Sequence, residues 1–210
     1  MTSETDIAKP AVVLLESMGF DVYQEVPYGS RADIVAIKNR IVCVVEVKKS
    51  LSFEVIAQAR HWVRHCLAHW VFVAVPKAKA SDGRTLAYSL CEQLGIGVIE
   101  VGAHKTWIRS YPKLSKRVST RLKDAVRPEH KTFAMAGSKG SFWSPWRESV
   151  ERLRKDVERE PGRLIIDVLK CITHHWANDR SAMSCVSTQI ANGIIKGIRI
   201  EKGRLYASEP

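Results

Sequence analysis

Apolar and polar positions alternate along the chain in two periods, one helical and one strand-like. Residues 8–18 repeat at helical spacing, with Pro10 placed in the first turn and Gly19 as the stop, so a helix is predicted there. Residues 20–26 alternate as a strand does, and Pro27-Tyr28-Gly29-Ser30 reads as a loop. Two β-branched runs, 32–37 and 41–47, are joined by Lys38-Asn39-Arg40, which predicts a hairpin. A helix over 53–69, a strand over 70–75 stopped by Pro76, a helix over 83–94 and a strand over 97–101 follow. The order α-β-β-β-α-β-α-β predicts an α/β fold, a mixed sheet flanked by helices.

The pattern changes after Pro112. Through that residue there are 13 basic and 11 acidic side chains, and beyond it 20 basic and 11 acidic, so most of the net charge of +11 lies in the second half. The segment 113–139 holds eight basic and two acidic residues and few large apolar ones. With the small polar run from Ala136 to Ser141, it reads as a basic linker or mobile arm. Three divisions are therefore predicted: a core over 1–112, the arm over 113–142, and a small, basic, mainly helical domain over 143–210. In the last, helices are expected over 144–160, 163–176 and 184–195, with a hairpin turning at Lys202-Gly203. Three helices and a hairpin resemble a winged-helix module; a structural cap or a dimerisation domain fits the pattern equally.

Composition narrows the class. At 45% hydrophobic and 26% charged, the 210 residues are those of a globular protein, not a disordered one. No window approaches the ~18 uninterrupted apolar residues of a membrane-spanning helix, so no membrane association is expected. The polar N-terminus does not read as a secretory signal. Five scattered cysteines without C-x-x-C spacing argue against a disulfide framework, and a reducing, cytoplasmic location is expected. Net positive charge suggests a polyanionic partner.

One constellation carries chemistry. The apolar strand at 41–47 holds a single carboxylate, Glu46, and Lys48 follows two residues later on the same strand face. The preceding strand opens with Asp33, which the turn at Asn39 can bring beside Glu46. Two carboxylates and an ammonium at a sheet edge suit Mg²⁺-assisted phosphodiester cleavage, because hard oxygen ligands hold the cation and leave positions for water and phosphate. The lysine can orient or deprotonate the attacking water, or stabilise charge developing on the phosphate.

Gly19-Phe20, Arg31-Ala32-Asp33-Ile34-Val35-Ala36 and Val45-Glu46-Val47-Lys48 together resemble the core of the restriction-endonuclease-like, or PD-(D/E)xK, nuclease superfamily, in particular its Holliday-junction-resolvase and phage branches. The likeness covers about residues 8–100, with Ala32 where many members have proline. It implies that Asp33 and Glu46 bind Mg²⁺ or Mn²⁺, that the Val47 carbonyl joins them, and that Lys48 is the catalytic lysine. Members of the family often carry a further acid; Glu25 on the preceding strand is preferred to Glu16, and the helical acid that the resemblance would place near Ala8 is absent or displaced. Gln58 and Trp62 resemble the Q-x-x-x-Y element of RecB-like nucleases, with Gln58 expected at the site and Trp62 in the core.

His61, His65 and His69 at helical spacing could place a zinc-binding pair on one face, but no third ligand type accompanies them. Beside Arg60 and Arg64 they are expected to form a basic surface. DNA is the expected partner, contacted through Lys49, Arg60, Arg64, Lys113, Lys116, Arg117, Arg121, Lys123 and Arg127. A non-catalytic nucleic-acid-binding module and a protein adaptor remain the alternatives, and a homodimer stays open.

Overall fold

The structure, a computed structural model, describes residues 3–132, 135–137 and 143–208. The chain forms two compact units, Met1–Trp143 and Ser144–Pro210. In the first, α1 (Glu4–Ser17) begins four residues before the apolar periodicity does. Ser3 explains the difference: its hydroxyl accepts the Asp6 N–H at 3.1 Å while the Asp6 carboxylate accepts the Ser3 N–H at 2.9 Å. Pro10 therefore lies inside the helix and not in its first turn, a placement that costs about 3 kcal/mol. Burial of Ile7, Ala8, Ala11 and Leu15 against the sheet offsets it.

Strands β1 (Asp21–Tyr28), β2 (Ser30–Lys38) and β3 (Ile41–Val47) form an antiparallel meander. Helix α2 (Phe53–Arg64) then carries the chain to β4 (Trp70–Pro76), and α3 (Asp82–Gln93) to β5 (Gly97–Val101), both parallel to β3. A short β6 (Thr106–Ser110), which the sequence pattern missed, closes the edge antiparallel to β5. The result is a six-stranded mixed sheet in the order β1 to β6, with α1 on one face and α2 and α3 on the other. Apolar side chains fill both sides of β3 and β4, which is why those strands read as continuous hydrophobic runs.

Helix α2 stops at Arg64, short of the expected 69. Cys66 adopts a left-handed φ of 51°, which turns the chain. His69 is already bound to β3, donating its N–H to the Val42 carbonyl at 2.8 Å and accepting the Val42 N–H on Nδ1 at 3.0 Å.

The segment expected to be a linker instead packs on the first unit. The Lys113 N–H donates to the Gly95 carbonyl at 3.1 Å, Ser115 to His69 at 2.9 Å and Ser119 to Cys66 at 2.9 Å. A short helix, α4 (Arg121–Ala125), then buries Leu122 completely in the core beneath α2 and α3. A 3₁₀ turn (Pro128–Lys131) follows along β1, with Lys131 paired to Asp21 at 2.8 Å. Beyond it the Ala136 N–H donates to Gln24 Oε1 at 2.9 Å. Residues 113–132 and 135–137 are thus a strap whose few apolar side chains suffice to seat it, while its lysines and arginines stay exposed. The remainder of the expected linker, 133–134 and 138–142 with Lys139, lies outside the described residues.

The second unit has α5 (Pro145–Arg159), α6 (Ile165–Cys171), α7 (Asp179–Ala191) and a hairpin of β7 (Ile198–Glu201) and β8 (Arg204–Ala207). Leu153, Val168, Leu169, Val186 and Leu205 form its separate core. The turn at Lys202 and Gly203 has φ of 49° and 75°, the left-handed pair that a tight hairpin needs. Helix α6 ends earlier than expected and α7 starts earlier, because the Asn178 side chain accepts the Ser181 N–H at 2.9 Å and caps it. Leu164 also bridges to Arg204, so the hairpin is tied to the chain entering α6.

Leu122→Ala is expected to destabilise the first unit by about 2–5 kcal/mol, as full burial of a leucine implies. Urea unfolding of the full chain checks this; an unchanged midpoint would mean that the strap is not seated.

Candidate functional site

The site lies at the carboxyl end of β3, where β2 and β3 fix two acids. Their register pairs Ile34 with Val45, and one step further sets Asp33 opposite Glu46. Directly opposed residues on antiparallel strands share a face, so the two carboxyls meet. Glu46 is only 3% exposed, and the Asp33 carboxyl acts directly on it. Each also has a donor: Trp62 Nε1–H reaches Glu46 Oε1 at 2.6 Å, and the Val47 N–H reaches Asp33 Oδ2 at 2.8 Å. Trp62, expected as plain core, is buried and also holds Glu46.

Burial pushes the Glu46 carboxyl up to about 8, and the neighbouring Asp33 charge pushes the same way, against the Trp62 hydrogen bond and the Lys48 charge. Asp33 is raised as well, chiefly by burial. Two acids that resist ionisation side by side form a site that a cation would stabilise.

Asp33, Glu46, Lys48 and Gln58 line one cleft of about 580 Å³, together with Ser30, Arg31, Glu54, Ala57, His61 and Trp62. Lys48 Nζ lies 3.6 Å from Glu4 Oε1 and 4.0 Å from Glu54 Oε1. The Gln58 Oε1 is buried and has no hydrogen-bond partner among the described residues. Val47 is fixed beside the acids by the same amide that binds Asp33.

Glu25 is placed differently from the expectation. The register brackets it opposite Asp33, between Gln24↔Ile34 and Val26↔Ala32. Its φ of 54° is left-handed, however, and reverses the alternation, so Val22 and Val26 lie on opposite faces of the sheet. Glu25 does not line the cleft. It is fully buried, 2.7 Å from Arg31 Nε, and accepts the Gly137 N–H at 2.8 Å. Burial outweighs the Arg31 pairing and pushes its carboxyl up to about 7.

The sequence reading missed Glu4, whose charge acts on Lys48, Asp33 and Glu25. No acid stands at Ala8, but the helix begins four residues earlier than expected, and its first residue, Glu4, reaches Lys48. The Ser-x-x-Asp spacing of Ser3 and Asp6 was the signal. Glu16 is exposed near the other end of α1, roughly 18 Å away along the helix. Glu54 and Arg31 also line the cleft, a place to which the sequence reading assigned neither.

The histidine series is broken by the end of α2. The rings of His61 and His65 stand 4.5 Å apart, but His69 has left the helix and binds Val42. Among the described residues, no group of three or more His, Cys, Asp or Glu side chains could hold a metal ion. Any cation at the cleft would thus rest on the Asp33 and Glu46 pair, backbone carbonyl and water. Lys49, Arg60, Arg64, Lys113, Lys116, Arg117, Arg121, Lys123 and Arg127 are all exposed, and none lines the cleft.

A carboxyl raised by folding favours the folded state below its unfolded value near 4.5, and that advantage fades as pH climbs through the folded value, about 8 for Glu46. Without divalent metal, thermal stability is therefore expected to fall between about pH 5 and 9, with Glu25 contributing in the lower part of that window. Glu46→Gln should flatten the fall and exceed wild type at the alkaline end. Melting curves across the range check this, and a variant as pH-sensitive as wild type would remove Glu46 as the source.

No protein-family description matches the sequence, and no curated protein does. Among solved structures, a protein of unknown function from Silicibacter pomeroyi is similar at a TM-score of 0.41 and 20% identity, over 57% of this chain and 77% of its own.

Proposed function

We propose that the first unit is a metal-dependent DNA nuclease of the restriction-endonuclease-like kind, with Asp33 and Glu46 holding Mg²⁺ or Mn²⁺ and Lys48 serving the attacking water. The observation that carries the reading is the opposition of Asp33 and Glu46 at the end of β3, with Lys48 in the same cleft. The donor set fits a hard cation: two carboxyls raised chiefly by burial, Glu46 also by the Asp33 charge and Asp33 by that of Glu4, with the Val47 carbonyl as a further oxygen ligand. When bound, the cation supplies charge neutralisation and Lewis acidity at the scissile phosphate.

The chain's own groups do the rest. Trp62 and the Val47 amide fix one oxygen of each carboxylate. Glu4 and Glu54 hold the Lys48 ammonium at the cleft, where it can orient water or meet charge forming on phosphate. Water adds to phosphorus, the bond to the leaving oxygen breaks, and that oxygen takes up a proton. Gln58, with a carbonyl oxygen lacking a protein partner among the described residues, can accept a hydrogen bond from water or substrate.

The second unit supports an accessory role. Its helix, bridge, two helices and hairpin fit the winged-helix expectation, in which α7 would face nucleic acid. The exposed cations of the strap also suit the alternative of a non-catalytic nucleic-acid-binding module.

Purified protein with Mg²⁺ or Mn²⁺ is expected to cut linear, single-stranded, flapped or four-way DNA, and EDTA to stop it. Asp33→Asn, Glu46→Gln and Lys48→Ala should each lower the rate about 100-fold or more, with the fold intact by circular dichroism. Trp62→Phe should cost about tenfold. A wild type that cuts none of these substrates, or a Glu46→Gln variant that cuts as fast, would sink the enzyme reading.

A further inference from the structure

The cleft is poorly suited to attract a polyanion unaided. Among the described residues, Asp33, Glu46, Glu54 and the adjacent Glu4 face only Arg31 and Lys48 as fixed cations, so grip on a nucleic acid must come from beyond the cleft walls. The strap supplies cations in a defined place. Its residues 115 and 119 are clipped to the turn after α2, Ser115 N–H on the His69 carbonyl and Ser119 N–H on the Cys66 carbonyl, both at 2.9 Å. Lys116 and Arg117 are exposed between the two clips. On α2 itself, His61 lines the cleft, its ring 4.5 Å from that of His65, and Arg64 is exposed beside them.

We infer that a nucleic-acid strand leaving the cleft runs along the C-terminal half of α2 onto the strap, over a track made by His61, His65, Arg64, Lys116 and Arg117. The starting point rests on the reading of the cleft as a phosphodiester site. From His61 to Cys66 the helix and its cap advance about 7.5 Å, roughly two nucleotide steps of stacked strand. The strand therefore meets the strap's cations only after clearing the acids. The tilted imidazole pair offers ring faces and N–H donors to the bases and phosphates between, which an acidic protein would not use in the same way. The track also gives the site a direction, because it leaves the cleft on the side of His61.

Salt titration of binding tests this without cleavage. Labelled single-stranded oligonucleotides are titrated by fluorescence anisotropy in EDTA, with wild type, Lys116→Ala/Arg117→Ala, His61→Ala/His65→Ala, and the control Arg40→Ala/Lys105→Ala. The strap pair should lower the slope of log affinity against log salt by about 1.4, near 0.7 for each phosphate no longer neutralised. The histidine pair should weaken binding about tenfold at unchanged slope, and the control should match wild type. An unchanged slope in the strap variant, an equal loss in the control, or displacement of the oligonucleotide by polyglutamate at equal charge would overturn the track. Binding that depends on the track, with no cutting in Mg²⁺ or Mn²⁺, would leave it standing and remove the nuclease proposal. Cutting with binding indifferent to the track would do the reverse.

Discussion

The register between β2 and β3 is the constraint from which the site follows. The turn at Asn39, with its left-handed φ of 55°, pairs Lys38 with Ile41 and so counts the strands back until Asp33 faces Glu46. A slip of one residue would turn Glu46 to the α1 face and its apolar neighbours to the wrong side. Val35, Val42 and Val44 on one face and Ile34, Cys43 and Val45 on the other are all buried, so both faces resist that slip. The acids cost free energy where they stand. They are held because the surrounding valines leave no other register.

That part was legible in the sequence, since two β-branched runs and a short turn admit little freedom. Asp33, Glu46, Lys48 and Gln58 were expected together and do line one cleft. Glu4 was hidden because apolar periodicity marks a helix's buried stripe and not its polar first turn. Glu25 was misplaced because alternation assumes an unbroken strand, and a left-handed residue inside one leaves no compositional trace. The end of α2 was hidden for a similar reason: the periodic histidines continue through a turn that the backbone makes at Cys66.

The charge shift after Pro112 was real, but it did not mark a unit boundary. A run of cations with few apolar residues reads as solvated arm, yet Leu122 and Ala136 reach the two sides of the core. Basic composition and core membership are compatible where a segment lies flat: its backbone bonds to the protein and its long side chains stay in water. The acidic cleft and the cationic strap therefore belong to one unit, and their spacing is fixed by hydrogen bonds, not by a flexible tether.

The Gly137 amide that binds Glu25 joins residues 112 positions apart in the sequence. A side chain at this glycine would lie 2.6 Å from the Glu4 Cβ, so the contact depends on bare backbone. Its consequence lies in the timing of folding. A contact of such long range carries a large loop-closure cost. On the ribosome, the pocket around Glu25 and Glu4 stays incomplete until Gly137 has emerged, when nearly all the unit is already synthesised. Full enclosure of the Glu25 carboxyl therefore requires a residue from the far end of the unit's described chain.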